Sequence, residues 1–169
     1  IDNGWFREIL EGEEVVDEGL IKERILLQTE EDLQKYKSKD LDEVLLSLGM
    51  GKRQELVDEL KALGKDINPL MLIQLPNDDK ELIAKGDKTK EEVVSQFLTK
   101  QGIKKQQVAK WFDNKKENLD FIADNDSKVN FMLFKQAAGT GWDCPRASVL
   151  VMFREIKKET FYTQTVGRI

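Results

Sequence analysis

The chain has 169 residues, enough for one α/β domain with a helical appendage but crowded for two full domains. Its 27 basic residues against 32 acidic ones leave a net charge of −5, so no global basic field drives indiscriminate nucleic-acid binding. With no histidine, His-based triads, His acid/base schemes and His-containing zinc sites are excluded, and one cysteine, Cys144, excludes an internal disulfide framework.

A lone cysteine fits a reducing compartment, which points to the cytoplasm, and Cys144 is expected to pack as a small apolar residue. No apolar stretch approaches a membrane span, and no membrane partner is expected. The chain begins at Ile1 and stops at Ile169 within a segment that reads as a helix, so an excised piece of a longer protein is expected. Basic residues cluster at residues 100–110 and again at Lys135, Arg146, Arg154, Lys157 and Lys158. Either group is a local nucleic-acid contact or a solvated charged face.

Residues 5–28 mix short apolar runs with Gly12, Gly19 and charges, a pattern open to a hairpin or a linker packed on a neighbour. From about Thr29 to Leu63 leucines and valines recur at helical spacing. Gly49 and Gly51 interrupt them, which predicts two helices, with Gly64 as a stop. These helices read as packing or interdomain connection.

Residues 70–75 are apolar and framed by Pro69 and Pro76, the pattern of a buried strand. Thr89 and Glu92 form a capping-box pair that opens a helix running to Gly102, and residues 107–112 read as the next strand. Residues 119–122 predict a short helix or turn, residues 129–134 and 148–153 two further core strands, and residues 159–169 a final helix. Such alternation predicts an α/β fold with a mostly parallel sheet and helices on both faces. We divide the chain into a linker and helical extension, 1–65, and an α/β domain, 66–169.

Two runs carry chemistry. Gly139 and Gly141 let backbone approach a ligand, and Asp143 supplies an acceptor beside them; a plain strand-to-helix turn is the competing reading. Gln164 and Arg168 stand four apart on the expected last helix, so both project from one face, as needed to hold a polyphosphate, although an ordinary surface helix shows the same spacing. Trp142 either stacks a base or packs beneath the loop. Asp143 with Glu155-Ile156-Lys157 has the outline of a magnesium nuclease, a short pattern that arises easily in so charged a chain.

Taken together, residues 134–147 with the core Gly141-Trp142-Asp143-Cys144-Pro145, and residues 160–169 with the core Gln164-Thr165-Val166-Gly167-Arg168, resemble helicase motifs V and VI in the Res subunit of type III restriction enzymes. Residues 69–77 are similar to motif IV of the same second RecA-like domain, whereas residues before Asp66 match only loosely.

The resemblance implies a superfamily-two DNA translocase, part of an ATP-dependent restriction endonuclease, with ATP between two RecA-like domains and DNA across both. Gly141, Asp143, Gly167 and Arg168 would then contact ATP, and Arg168 with Gln164 would act in catalysis at the phosphates. Lys135, Gln136 and Thr140 would lie nearest the DNA backbone. The family pattern continues to a further arginine three residues beyond Arg168, past the end of this chain.

No G-x-x-x-x-G-K-[ST] loop is present, nor an acidic box followed by a helicase motif. The isolated piece is therefore expected to be inactive and to bind no cofactor alone, ATP and Mg2+ belonging to the full-length protein. Its implied partners are DNA, the N-terminal RecA-like domain of the same chain and the modification (methyltransferase) subunit. A different superfamily-two helicase, in repair, and a non-catalytic α/β interaction domain are the alternatives.

Overall fold

A computed structural model describes residues 41–135 and 143–153. Its first helix, α1 (Leu41–Ala62), is followed by β1 (Leu70–Gln74), the short α2 (Lys80–Ala84), α3 (Lys90–Lys100), a single 3-10 turn at Lys105–Gln107, and the strands β2 (Val108–Phe112), β3 (Lys115–Glu117), β4 (Phe131–Phe134) and β5 (Ala147–Met152). The five strands form one sheet in the order β3-β2-β4-β1-β5. β2, β4, β1 and β5 pair in parallel, and only the edge hairpin β2–β3 is antiparallel. The fold is α/β with a mostly parallel sheet, as the alternation of elements predicts.

Every residue of β1 and of β4 is buried, which is why both read as unbroken apolar runs rather than alternating ones. One face of the sheet, through Met71, Ile73, Phe131, Leu133 and Val151, packs on Leu46 of α1 and on Val94, Phe97 and Leu98 of α3. Against the other face, Leu70, Leu72, Met132 and Phe134 meet Ile122, Val129 and Cys144. The loop between β3 and β4 and the segment entering β5 supply that cover. The helix expected over residues 159–169 lies outside the described residues, as do all readings of residues 1–40.

Residues 41–62 form one continuous helix, not two helices split near Gly49 to Gly51. The reason is packing. A Cβ on Gly49 would stand 2.5 Å from Val151 Cγ2 and 2.7 Å from Met71 Cε, so this glycine lets α1 lie directly on β1 and β5, and the burial offsets its poor helix propensity. The predicted stop is seen: Gly64 takes φ 67°, and Lys65 N–H and Gly64 N–H donate to the carbonyls of Leu60 and Lys61 at 2.9 and 3.0 Å.

The capping box of α3 also forms, with Glu92 N–H donating to Thr89 Oγ1 and Thr89 N–H to the Glu92 carboxylate. β2 begins one residue later than predicted, and residues 119–122 are a turn. Two elements were invisible to periodicity. β3 is three charged residues, Lys115, Lys116 and Glu117, on an edge where lysines discourage further strand pairing, and α2 is a five-residue helix capped by Asp79.

Gly49→Ala is expected to destabilise the fold by about 1–3 kcal/mol because β-branched Val151 has little room to yield. Gly51→Ala, with nothing within 4 Å of the new methyl, is expected to stabilise α1 by up to about 1 kcal/mol. Urea unfolding midpoints of the two variants check the contrast.

Candidate functional site

The carboxyl ends of β1 and β4 lie side by side at the carboxyl edge of the sheet. The chain leaves β1 through α2 and α3 and reaches β2, on one side, whereas it leaves β4 and reaches β5, on the other. The two connections therefore run in opposite directions, each past the other's strand, and the carboxyl ends of such parallel strands are where α/β sheets bind ligands.

Gln74, the last residue of β1, is fully buried there, in a strand otherwise apolar. Its carbonyl accepts from Phe153 N–H at 2.9 Å and its Nε2 donates to the carbonyl of Lys135 at 3.3 Å. It thereby joins the end of β5 to the first residue after β4. Its Oε1 has no partner among the described residues.

Lys135 follows the end of β4, its Nζ 2.9 Å from Asp78 Oδ2 and 5.2 Å from the centre of the Phe112 ring. A second lysine repeats the arrangement: Lys90, at the start of α3, pairs with Asp42 of α1 and lies 5.5 Å from the Phe153 ring. Each ammonium has an aromatic floor and one carboxylate partner. An ammonium is a point charge suited to phosphate oxygens, and a phosphate competes for it with the aspartate it already holds.

The opposite, amino edge is closed by arginine. Arg146, 1% exposed, donates from Nε to Ile122 O at 2.6 Å and from Nη1 to Asn68 O and Val129 O, both at 2.8 Å. Arg53 of α1 donates from Nε to Pro69 O at 2.8 Å and from Nη2 to Asn68 Oδ1. Asn68 Nδ2 in turn donates to Ser127 O and Asn130 Oδ1, both at 2.7 Å. Burial, with the neighbouring Arg146 charge added, pushes the Arg53 guanidinium down to about 10, and burial likewise lowers Arg146.

Of the residues assigned to ATP or DNA, Lys135 and Asp143 are described. Lys135 is at the carboxyl edge. Asp143 is exposed and precedes Cys144, whose buried thiol lies 3.8 Å from Ile122 O at the amino edge, so the two are not brought together. Gln136, Thr140, Gly141, Gln164, Gly167 and Arg168 lie outside the described residues, as do Trp142, Glu155 and Lys157.

Arg146 belongs neither to a solvated basic face nor to a nucleic-acid contact, because its guanidinium is spent on carbonyls inside the fold. Gln74, Asp78 and Lys90 were missed by sequence reasoning. Gln74 had a signal, as the one polar residue in an apolar strand; the two ion pairs join residues 57 and 48 apart and had none.

Among the described residues no group of three or more acidic or cysteine side chains could hold a metal ion, and no helix is long and apolar enough to cross a membrane. No family model, no curated relative and no solved structure matches the chain. Fold and site together define an α/β sheet protein with two aromatic-backed lysines at its carboxyl edge.

Replacing Arg146 with leucine strands three buried carbonyls at about 1–3 kcal/mol each, so Arg146→Leu is expected to cost at least about 3 kcal/mol in urea unfolding. Asp78→Asn removes a partly exposed ion pair and is expected to change stability by less than about 1 kcal/mol.

Proposed function

We propose that the chain is part of the second RecA-like domain of an ATP-dependent DNA translocase of the type III restriction kind, supplying the segments resembling motifs IV, V and VI. The observation that supports this most is topological. The run resembling motif V, residues 134–147, begins at the last residue of β4, which places Lys135 at the carboxyl end of that strand. That is where a parallel sheet meets its ligand.

In this reading Lys135 contacts the DNA backbone, exchanging Asp78 for a phosphate, with Gln136 and Thr140 following it in sequence. Gln164, Gly167 and Arg168 face the ATP phosphates, where a guanidinium fork stabilises charge developing during transfer. Gly141 and Asp143 belong to the nucleotide by resemblance alone; the position of Asp143 at the amino edge lends that assignment no support. ATP and Mg2+ bind only when an N-terminal RecA-like domain completes the site, and the modification subunit joins the full complex. A reducing cytoplasm suits the single, buried cysteine Cys144.

DNA-stimulated ATP hydrolysis by the full-length protein tests the proposal. Arg168→Ala, compared with wild type where both bind nucleotide, is expected to lower turnover by two or more orders of magnitude, about 2.7 kcal/mol of transition-state stabilisation. Unchanged turnover would return the C-terminal run to an ordinary helix and favour a non-catalytic interaction domain.

A further inference from the structure

The turn between β3 and β4 presents an aromatic side chain that the fold does not use. Phe121 is 80% exposed, while Ile122 beside it is 6% exposed and packs in the core. Phe121 also holds φ 55°, a left-handed backbone that a bulky residue adopts only when its surroundings impose it.

The surroundings do impose it. Ile122 O accepts from Arg146 Nε, and Asn125 O accepts from Asn68 N–H at 2.8 Å. Within the turn Ile122 N–H reaches Leu119 O at 3.3 Å and Asp124 N–H reaches Phe121 O at 3.0 Å. The ring is thus displayed from a turn fastened at two points to the amino edge of the sheet, opposite the two lysines of the carboxyl edge. A residue that is costly to hold in this backbone and belongs to neither core cluster of the described residues is available to a contact beyond them.

Its neighbours define what it can meet. Lys115, which pairs with Glu117 at 3.6 Å, Lys116 and Lys128 stand at the ends of the turn, but the residues nearest Phe121 in sequence carry three exposed acids, Asp120, Asp124 and Asp126, and no lysine or arginine. Such a rim repels phosphates, which disfavours nucleic acid and anionic lipid, and complements a basic one. Aromatic side chains on rigid supports are the usual anchors of protein interfaces, with charged rims setting partner choice. We propose that Phe121 is an anchor for a partner protein, packing on the apolar face of a helix flanked by lysine or arginine. This surface is independent of the ATP and DNA reading.

The probe is a labelled helical peptide of leucine and lysine with one apolar stripe, titrated against the full chain by fluorescence anisotropy. Phe121→Asn, which tolerates the left-handed backbone, is expected to fold with an unchanged or higher thermal midpoint yet bind the peptide roughly tenfold or more weakly. Phe121→Tyr is expected to restore binding, and Asp120→Asn with Asp124→Asn to weaken it and reduce its salt dependence. Equal peptide binding by wild type and Phe121→Asn, or no binding by wild type, would overturn the proposal. So would an oligothymidine that binds wild type and loses affinity in Phe121→Asn, which would make the ring a base-stacking platform. A concentration-dependent dimer lost in Phe121→Asn would replace the partner with a second copy of this chain.

Discussion

Arg146 holds the sheet together at its amino edge. Its guanidinium gathers carbonyls from three separate segments, just before β1, just before β4 and within the turn preceding β4, and it does so from the residue that enters β5. A buried cation is unfavourable unless its donors are taken by oxygens of fixed position. Backbone carbonyls take Nε and Nη1, while the buried Nη2 has no hydrogen-bond partner among the described residues. Arg53 and Asn68 extend the fastening to α1, which runs from Asp42 at the carboxyl edge to Arg53 at the amino edge, antiparallel to the strands. Desolvation lowers the proton affinity of both arginines, and at Arg53 the neighbouring Arg146 charge lowers it further.

With one edge closed by arginine, the other is left to lysine. The edges differ in chemistry: guanidinium forks satisfy several fixed oxygens at once, whereas Lys135 and Lys90 each rest on an aromatic ring and pair with a single aspartate. An ammonium with one exchangeable partner can change partners at small energetic cost. Gln74 supplies the rigid element, since its backbone and side chain fix the ends of β5 and β4 relative to each other. Any ligand that displaces Asp78 therefore acts on a lysine whose backbone stays in position.

How far the chain could be read before its structure follows from which forces are local. The strands at β1, β4 and β5 and the capping box at Thr89 announce themselves because burial and capping act within a few residues. Gly49 was misread as a break because its reason for being glycine is Val151, about a hundred residues away. β3 has no apolar residue, and its pairing with β2 is set by a tight turn and an edge position rather than by a pattern. At the site, Lys135 was reached through a motif, while its partner Asp78 required the sheet to be assembled. Arg146 was read within a basic cluster, as a local nucleic-acid contact or a solvated face, since composition counts a guanidinium as positive whether it faces water or carbonyls.

The claim at the centre of this account is that Lys135 meets nucleic-acid phosphate at the carboxyl edge and that Asp78 is the group it gives up. Salt-dependent DNA binding by the full-length protein, compared among wild type, Asp78→Asn, Lys135→Ala and the double variant, tests it most directly. Freeing the lysine should tighten binding in Asp78→Asn. Removing it should weaken binding and reduce the slope of log affinity on log salt by roughly one, with Asp78→Asn having no effect in the Lys135→Ala background. DNA affinity and salt slope that stay the same in all four proteins would contradict the account.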